Sequence, residues 1–88
     1  METKEAQMIR ALTYGEKAVD LNFNPANDPK VKKVKELYAE IIDLMNERRI
    51  DLIENRSPED KEGARLCSIA ITEAQTAQMW AVKAFTWK

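Results

Sequence analysis

From Leu66 to Val82 the chain carries one formal charge, Glu73, although 33% of its 88 residues are charged. The stretch reads LCSIAITEAQTAQMWAV, with no Gly or Pro to interrupt a helix. A helix on a small monomer shows one apolar stripe and one charged face. This one is apolar or small and polar nearly all the way round. It needs cover on several sides, and a chain this short has little material left to supply it. Other copies of the same chain are the expected cover. The fold class that follows is all-α: an antiparallel two-helix hairpin with a short N-terminal helix, assembling into a compact helical homo-oligomer.

Composition narrows the chemistry. With 2 Gly and 3 Pro, the chain favours long regular elements over turns. It has no His and a single Cys. That leaves no Cys/His zinc site, no Cys-His or Ser-His-Asp catalysis and no intrachain disulfide. Cys67 reads as a small buried hydrophobe. The net charge of −1 gives no global attraction for a polyanion, so no DNA or RNA polymer is expected as a partner. The start, METKEAQMIRAL, has charges where a signal peptide would be apolar. The low-charge stretch contains Ser68, Thr72, Gln75, Thr76 and Gln78, too polar for a membrane span. A soluble chain with no cofactor is expected.

In chain order, one helical domain is expected over 1–88: an N-terminal helical segment and loop over 1–26, then long helices over 28–55 and 58–86. Ala6, Ile9 and Leu12 are spaced for a short amphipathic helix over residues 1–12. Thr13-Tyr14-Gly15-Glu16 has the form of a capping box, starting a helical turn through Val19. Leu21 to Pro29 holds three Asn, one Asp and two Pro, which marks a structured loop. Asp28-Pro29 supplies an N-cap and a first helical residue. Along the helix that follows, Val31, Val34, Tyr38, Ile41, Met45 and Leu52 are spaced as a packing seam, with Leu37 and Leu44 beside it. Ser57-Pro58-Glu59-Asp60 starts the last helix in the same way, with acids in its first turn.

Candidate binding residues gather near the loop. Lys30, Lys32, Lys33 and Lys35 form the one sizeable basic cluster, at a helix N-terminus whose free N–H groups also suit phosphate. The competing reading is a solvated face that balances Glu36, Glu40 and Asp43. Phe23 lies in the Asn/Pro loop and Tyr38 on the seam. Either ring could stack on a base beside a lysine-bound phosphate, or simply pack in the core. Thr72, Gln75 and Thr76 recur at i, i+3, i+4 and form either intersubunit hydrogen bonds or a second polar pocket. No catalytic constellation and no metal site is read from the sequence.

Two segments resemble a known family. Tyr14-Gly15-Glu16-Lys17-Ala18-Val19 with Phe23-Asn24-Pro25 and Lys30-Val31 is one. Ser68-Ile69-Ala70-Ile71-Thr72-Glu73 with Thr76-Ala77-Gln78-Met79-Trp80-Ala81-Val82-Lys83-Ala84 is the other. Both resemble the type 2 anti-CBASS sponge proteins of bacteriophages. The resemblance implies a short helical hairpin that assembles as a homohexamer in the cytoplasm of the infected bacterium. It implies binding without cleavage of the cyclic dinucleotides, and in some members cyclic trinucleotides, that CBASS immunity uses as signals. By that resemblance Phe23, with Asn24 and Pro25, stands at the base-stacking position. Tyr38 falls near the expected lysine, with Lys30, Lys33 and Lys35 as alternatives. Ile71 stands where some relatives carry a positive residue in a trinucleotide pocket, a departure that counts against trinucleotides. The alternative function is a structural or adaptor oligomer that binds another protein.

Overall fold

The computed structural model describes residues 11–55 and 58–88. The helix expected over residues 1–12 falls almost wholly outside them, as does Ser57; Ala11 and Leu12 are not helical. Three helices follow in order: α1 (Tyr14–Ala18), α2 (Pro29–Asn55) and α3 (Pro58–Thr86). There is no strand among the described residues. The two long helices pack on each other as the expected hairpin, and α1 packs on α2.

Five residues are too few for a helix that stands alone, so α1 is built from its ends. Thr13 accepts from the Glu16 amide, and the Glu16 carboxylate accepts from the Thr13 amide at 2.9 Å. This is the capping box the sequence shows. At the other end the Asp20 amide donates to the Lys17 carbonyl and the Leu21 amide to the Glu16 carbonyl. That pair is a Schellman closure, with Asp20 at φ 53° where glycine is usual. Asp tolerates the left-handed region because its short polar side chain hydrogen-bonds locally.

Gly15 lets α1 lie directly on the backbone of α2. A Cβ at Gly15 would stand 2.1 Å from the Ala39 carbonyl oxygen. The Gly15 amide donates to the Asp43 carboxylate at 2.6 Å, so an acid from α2 caps α1 from outside. Val19 then enters the core with Ala39, Ile42 and Ile71, all buried, and Tyr38, Met45 and Ala74 pack against them. Gln75 secures the third side by donating to the Ala18 carbonyl at 3.3 Å. Arg49 crosses the hairpin to Ser68 at 3.1 Å and stacks over the Tyr14 ring.

The packing register of α2 differs from the expected seam. Its buried residues are Val31, Lys35, Ala39, Ile42 and Leu52. Ile41 is 50% exposed, and Leu37 and Leu44 are also exposed. Two long-range demands turn the helix. Ala39 must face α1 so that Gly15 can approach, and Lys35 must reach the loop. The expected seam therefore divides: Val31, Tyr38, Met45 and Leu52 face the hairpin, while Leu37, Ile41 and Leu44 form an outward apolar stripe. On α3 only Cys67, Ile71 and Gln78 are buried, and Leu66, Ile69, Met79 and Trp80 are exposed.

No described helix is long and apolar enough to cross a membrane. Glu62 and Arg65 form a surface ion pair at 2.6 Å, and that contact holds the Glu62 carboxyl below its ordinary pKa. Both side chains are exposed, so the pair adds little to stability.

Candidate functional site

The loop between α1 and α2 is braced from within. The Phe23 amide donates to the Asp20 carbonyl, and the Asn27 amide to the Asn24 carbonyl. Asn24 works twice: its amide donates to the Asp28 carbonyl at 2.9 Å, and its side-chain oxygen accepts from the Asp28 amide at 3.2 Å. Asp28 in turn caps α2, accepting from the Lys30 amide at 2.8 Å. A second left-handed residue, Asn27, turns the chain into the helix.

Lys35 fastens this loop to α2. It is 4% exposed, and its ammonium donates to the Asp20 carbonyl at 2.9 Å and the Phe23 carbonyl at 2.5 Å. The same Nζ lies 5.6 Å from the centroid of the Phe23 ring. An ammonium has three donors, so one remains after the two carbonyls. No carboxylate pairs with it among the described residues. Two carbonyl dipoles and a ring face offset part of the cost of burying the charge. The ammonium lies beneath an exposed phenyl ring, and the exposed Asp20 lines the same recess.

Two recesses flank this point. One, of about 320 Å³, runs from Ala18, Val19 and Asp20 to Gln78 and Met79 of α3. The other, of about 280 Å³, is walled by Asn24, Pro25, Ala26, Val31 and Thr86. Phe23, Lys35 and Val82 line both. Each is near the low end of small-ligand pockets, about 300–1,000 Å³. The arrangement is a two-lobed cleft with a cation at its floor and a ring between its lobes. It can hold a flat, partly apolar group next to an anionic one.

The sequence-derived site residues divide between this cleft and other places. Phe23, Asn24, Pro25 and Lys35 meet there, although the Asn24 side chain is engaged with the Asp28 backbone. Lys30 and Lys33 are exposed and line neither lobe. On a helix they sit on the side opposite Val31 and Lys35. Tyr38 is half-buried in the core cluster and lines neither lobe. Thr72 and Thr76 are exposed, and the Thr76 hydroxyl donates back to the Thr72 carbonyl. Gln75 points instead to Ala18, so these three do not present one polar surface within the chain. Gln78, which lines the larger lobe, is missing from the sequence-derived site. Its only sequence signal is its place in one of the two family-like motifs. Among the described residues no group of three or more His, Cys, Asp and Glu is placed to hold a metal ion.

Neither the curated proteins nor the solved structures include a match to this chain. A family model does match it: the hairpin domain of Acb2/Tad1, over residues 16–86. The matched span begins inside α1 and ends with the last residue of α3, so it contains the whole braced loop, the cleft and the hairpin. The chain belongs to the Acb2/Tad1 hairpin-domain family, the anti-CBASS type 2 sponge family that its two motifs resemble.

Proposed function

We propose that this protein is a phage immune-evasion protein. It binds the cyclic dinucleotide messengers of bacterial CBASS defence and sequesters them, uncleaved, in the cytoplasm of the infected host. The observation that carries this reading is the buried Lys35 ammonium, paired with no acid among the described residues, between two recesses and under Phe23. An anion placed there gains a charge-assisted hydrogen bond. A base beside it gains a stacking surface. Sequestration requires binding alone, so the absence of a catalytic constellation from the sequence is in keeping with it.

A homo-oligomer, a hexamer by the family resemblance, forms the working unit. Leu37, Ile41 and Leu44 on α2, and Leu66, Ile69, Met79 and Trp80 on α3, are the apolar surfaces it would bury. One chain's lobes are small for a whole cyclic dinucleotide, so a neighbouring copy completes the enclosure. Lys30 and Lys33 act from the outer face, attracting the anionic ligand toward the site. Thr72 and Thr76 serve as interface contacts. With Ile71 buried in the core and Gln75 bound to Ala18, cyclic trinucleotides are not proposed as ligands.

Phe23→Ala separates this reading from the adaptor alternative, which rests on the same exposed stripes. Phe23 is 61% exposed, so its loss should barely change the melting temperature. A stacked base is worth about 1–3 kcal/mol, so calorimetric affinity for cyclic dinucleotides should fall about fivefold to a hundredfold. Unchanged affinity, or a destabilised fold with no small-molecule binding before or after, favours the adaptor.

A further inference from the structure

Gln78 is the most deeply buried polar residue of α3, 6% exposed, and it lines the larger lobe of the cleft beside Phe23 and Lys35. Its side chain makes no hydrogen bond among the described residues, whereas Gln75, one turn earlier, bonds to Ala18. Yet no buried side-chain nitrogen or oxygen among the described residues is both sealed from solvent and unsatisfied. The Gln78 amide therefore keeps its small exposure at the cleft wall. An amide with no partner among the described residues and a small opening to the cleft is free to bond a ligand there. Packing alone would be served better by Met or Leu at this position.

We propose that Gln78 reads the base of the bound ligand. This rests on the cleft being a nucleotide site, as argued above, and adds how that site chooses among nucleotides. A primary amide offers one acceptor and a pair of donors side by side. The matching base edge has a donor next to an acceptor. Adenine presents this at N6 and N7, where a glutamine bonds in bidentate fashion. Guanine has two acceptors, O6 and N7, on that edge, which leave the amide oxygen without a partner; it matches the amide only through O6 and N1–H, whereas adenine matches it through N6 with either N7 or N1. Phe23 does not distinguish bases, since every base has a ring face, and in this reading the Lys35 ammonium is taken up by the anion. Of the polar side chains of the larger lobe, Asp20, Lys35 and Gln78, only Gln78 carries a donor and an acceptor together, and the inference is a preference for adenine.

The test titrates the full chain with cyclic dinucleotides containing two adenines, two guanines or two uracils. Gln78→Met and Gln78→Glu are compared with the unaltered protein, and mass is followed by light scattering. The unaltered protein should prefer adenine over guanine by about tenfold, the usual discrimination of a bidentate contact. Gln78→Met should lose about tenfold for the adenine ligand and bring the adenine and guanine affinities close together, with mass and melting temperature unchanged. Gln78→Glu should move the ranking toward guanine, whose N1–H and N2–H2 groups suit a carboxylate. The inference is overturned if Gln78→Met keeps the original affinities and ranking. It is also overturned if Gln78→Met lowers the assembly mass, because Gln78 is then an interface residue. Absence of binding by the unaltered protein overturns the nucleotide reading of the cleft itself, and this inference with it.

Discussion

Gly15→Ala should detach α1 from the hairpin and abolish the cleft. The added methyl would stand 2.1 Å from the Ala39 carbonyl oxygen and 2.9 Å from its carbon. Both are backbone atoms in the middle of α2, so neither can give way as a side chain would. Overpacking of this kind costs about 1–3 kcal/mol, and displacing α1 also breaks the bond from the Gly15 amide to Asp43. A loss of about 3 kcal/mol in total lowers the melting temperature of a domain this size by more than about 10 °C. Gly63→Ala is the control. Its Cβ meets the end of the flexible Leu52 side chain at 2.9 Å, and alanine is the better helix former inside α3. It should leave the melting temperature unchanged within a few degrees. Circular dichroism melts of both variants decide it, and equal effects from the two would mean that α1 does not rest on α2 as described.

Lys35→Met should remove nucleotide binding by two routes. Direct loss of the cation removes a charge-assisted bond to the ligand, about 1.5–3 kcal/mol or about tenfold to a hundredfold in affinity. Indirect loss follows because the Asp20 and Phe23 carbonyls lose their shared donor, which frees the loop that positions the Phe23 ring. Methionine matches the volume of the lysine stem, so Val31, Ala39 and Ile42 should keep their packing and the hairpin should stay folded. Lys35→Arg should not restore affinity, since a planar guanidinium cannot occupy the compact ammonium position between two carbonyls. Calorimetric affinity with the hairpin melt as companion separates the routes. Retained affinity in Lys35→Met would remove Lys35 from the site.

Local chemistry was legible in the chain before any fold. The Thr13–Glu16 capping box and the Asp28 cap appear in the structure where their residue types place them. These signals rest on neighbours within a few positions, and no tertiary contact overrides them. The helix span Pro58–Thr86 follows from composition in the same way. The register of α2 was not legible. A lysine reads as surface, and nothing near Lys35 in sequence announces two carbonyls 12 and 15 residues upstream. Ala39 is equally neutral until Gly15, 24 positions earlier, is laid against it. Ile41 reads as core on periodicity alone, and the approach of α1 turns it outward.

The candidate site divides along the same line. Phe23 stood out because a ring in an Asn/Pro loop has no obvious packing role. The lysine cluster was visible as charge, but only the fold separates Lys35 from Lys30 and Lys33. Gln78 looks like Thr72, Gln75 and Thr76 in the sequence. What sets it apart is the absence of a bond such as Gln75 makes to Ala18, together with a place in the cleft wall.

The central claim is that the chain holds a cyclic dinucleotide whole and returns it unchanged. It is tested most directly by titrating the purified protein with cyclic dinucleotides in a calorimeter, denaturing the complex and chromatographing the released ligand. The account predicts saturable heat with at least one cyclic dinucleotide and quantitative recovery of that ligand intact. No heat with any of them, or recovery of a cleaved product, would contradict it.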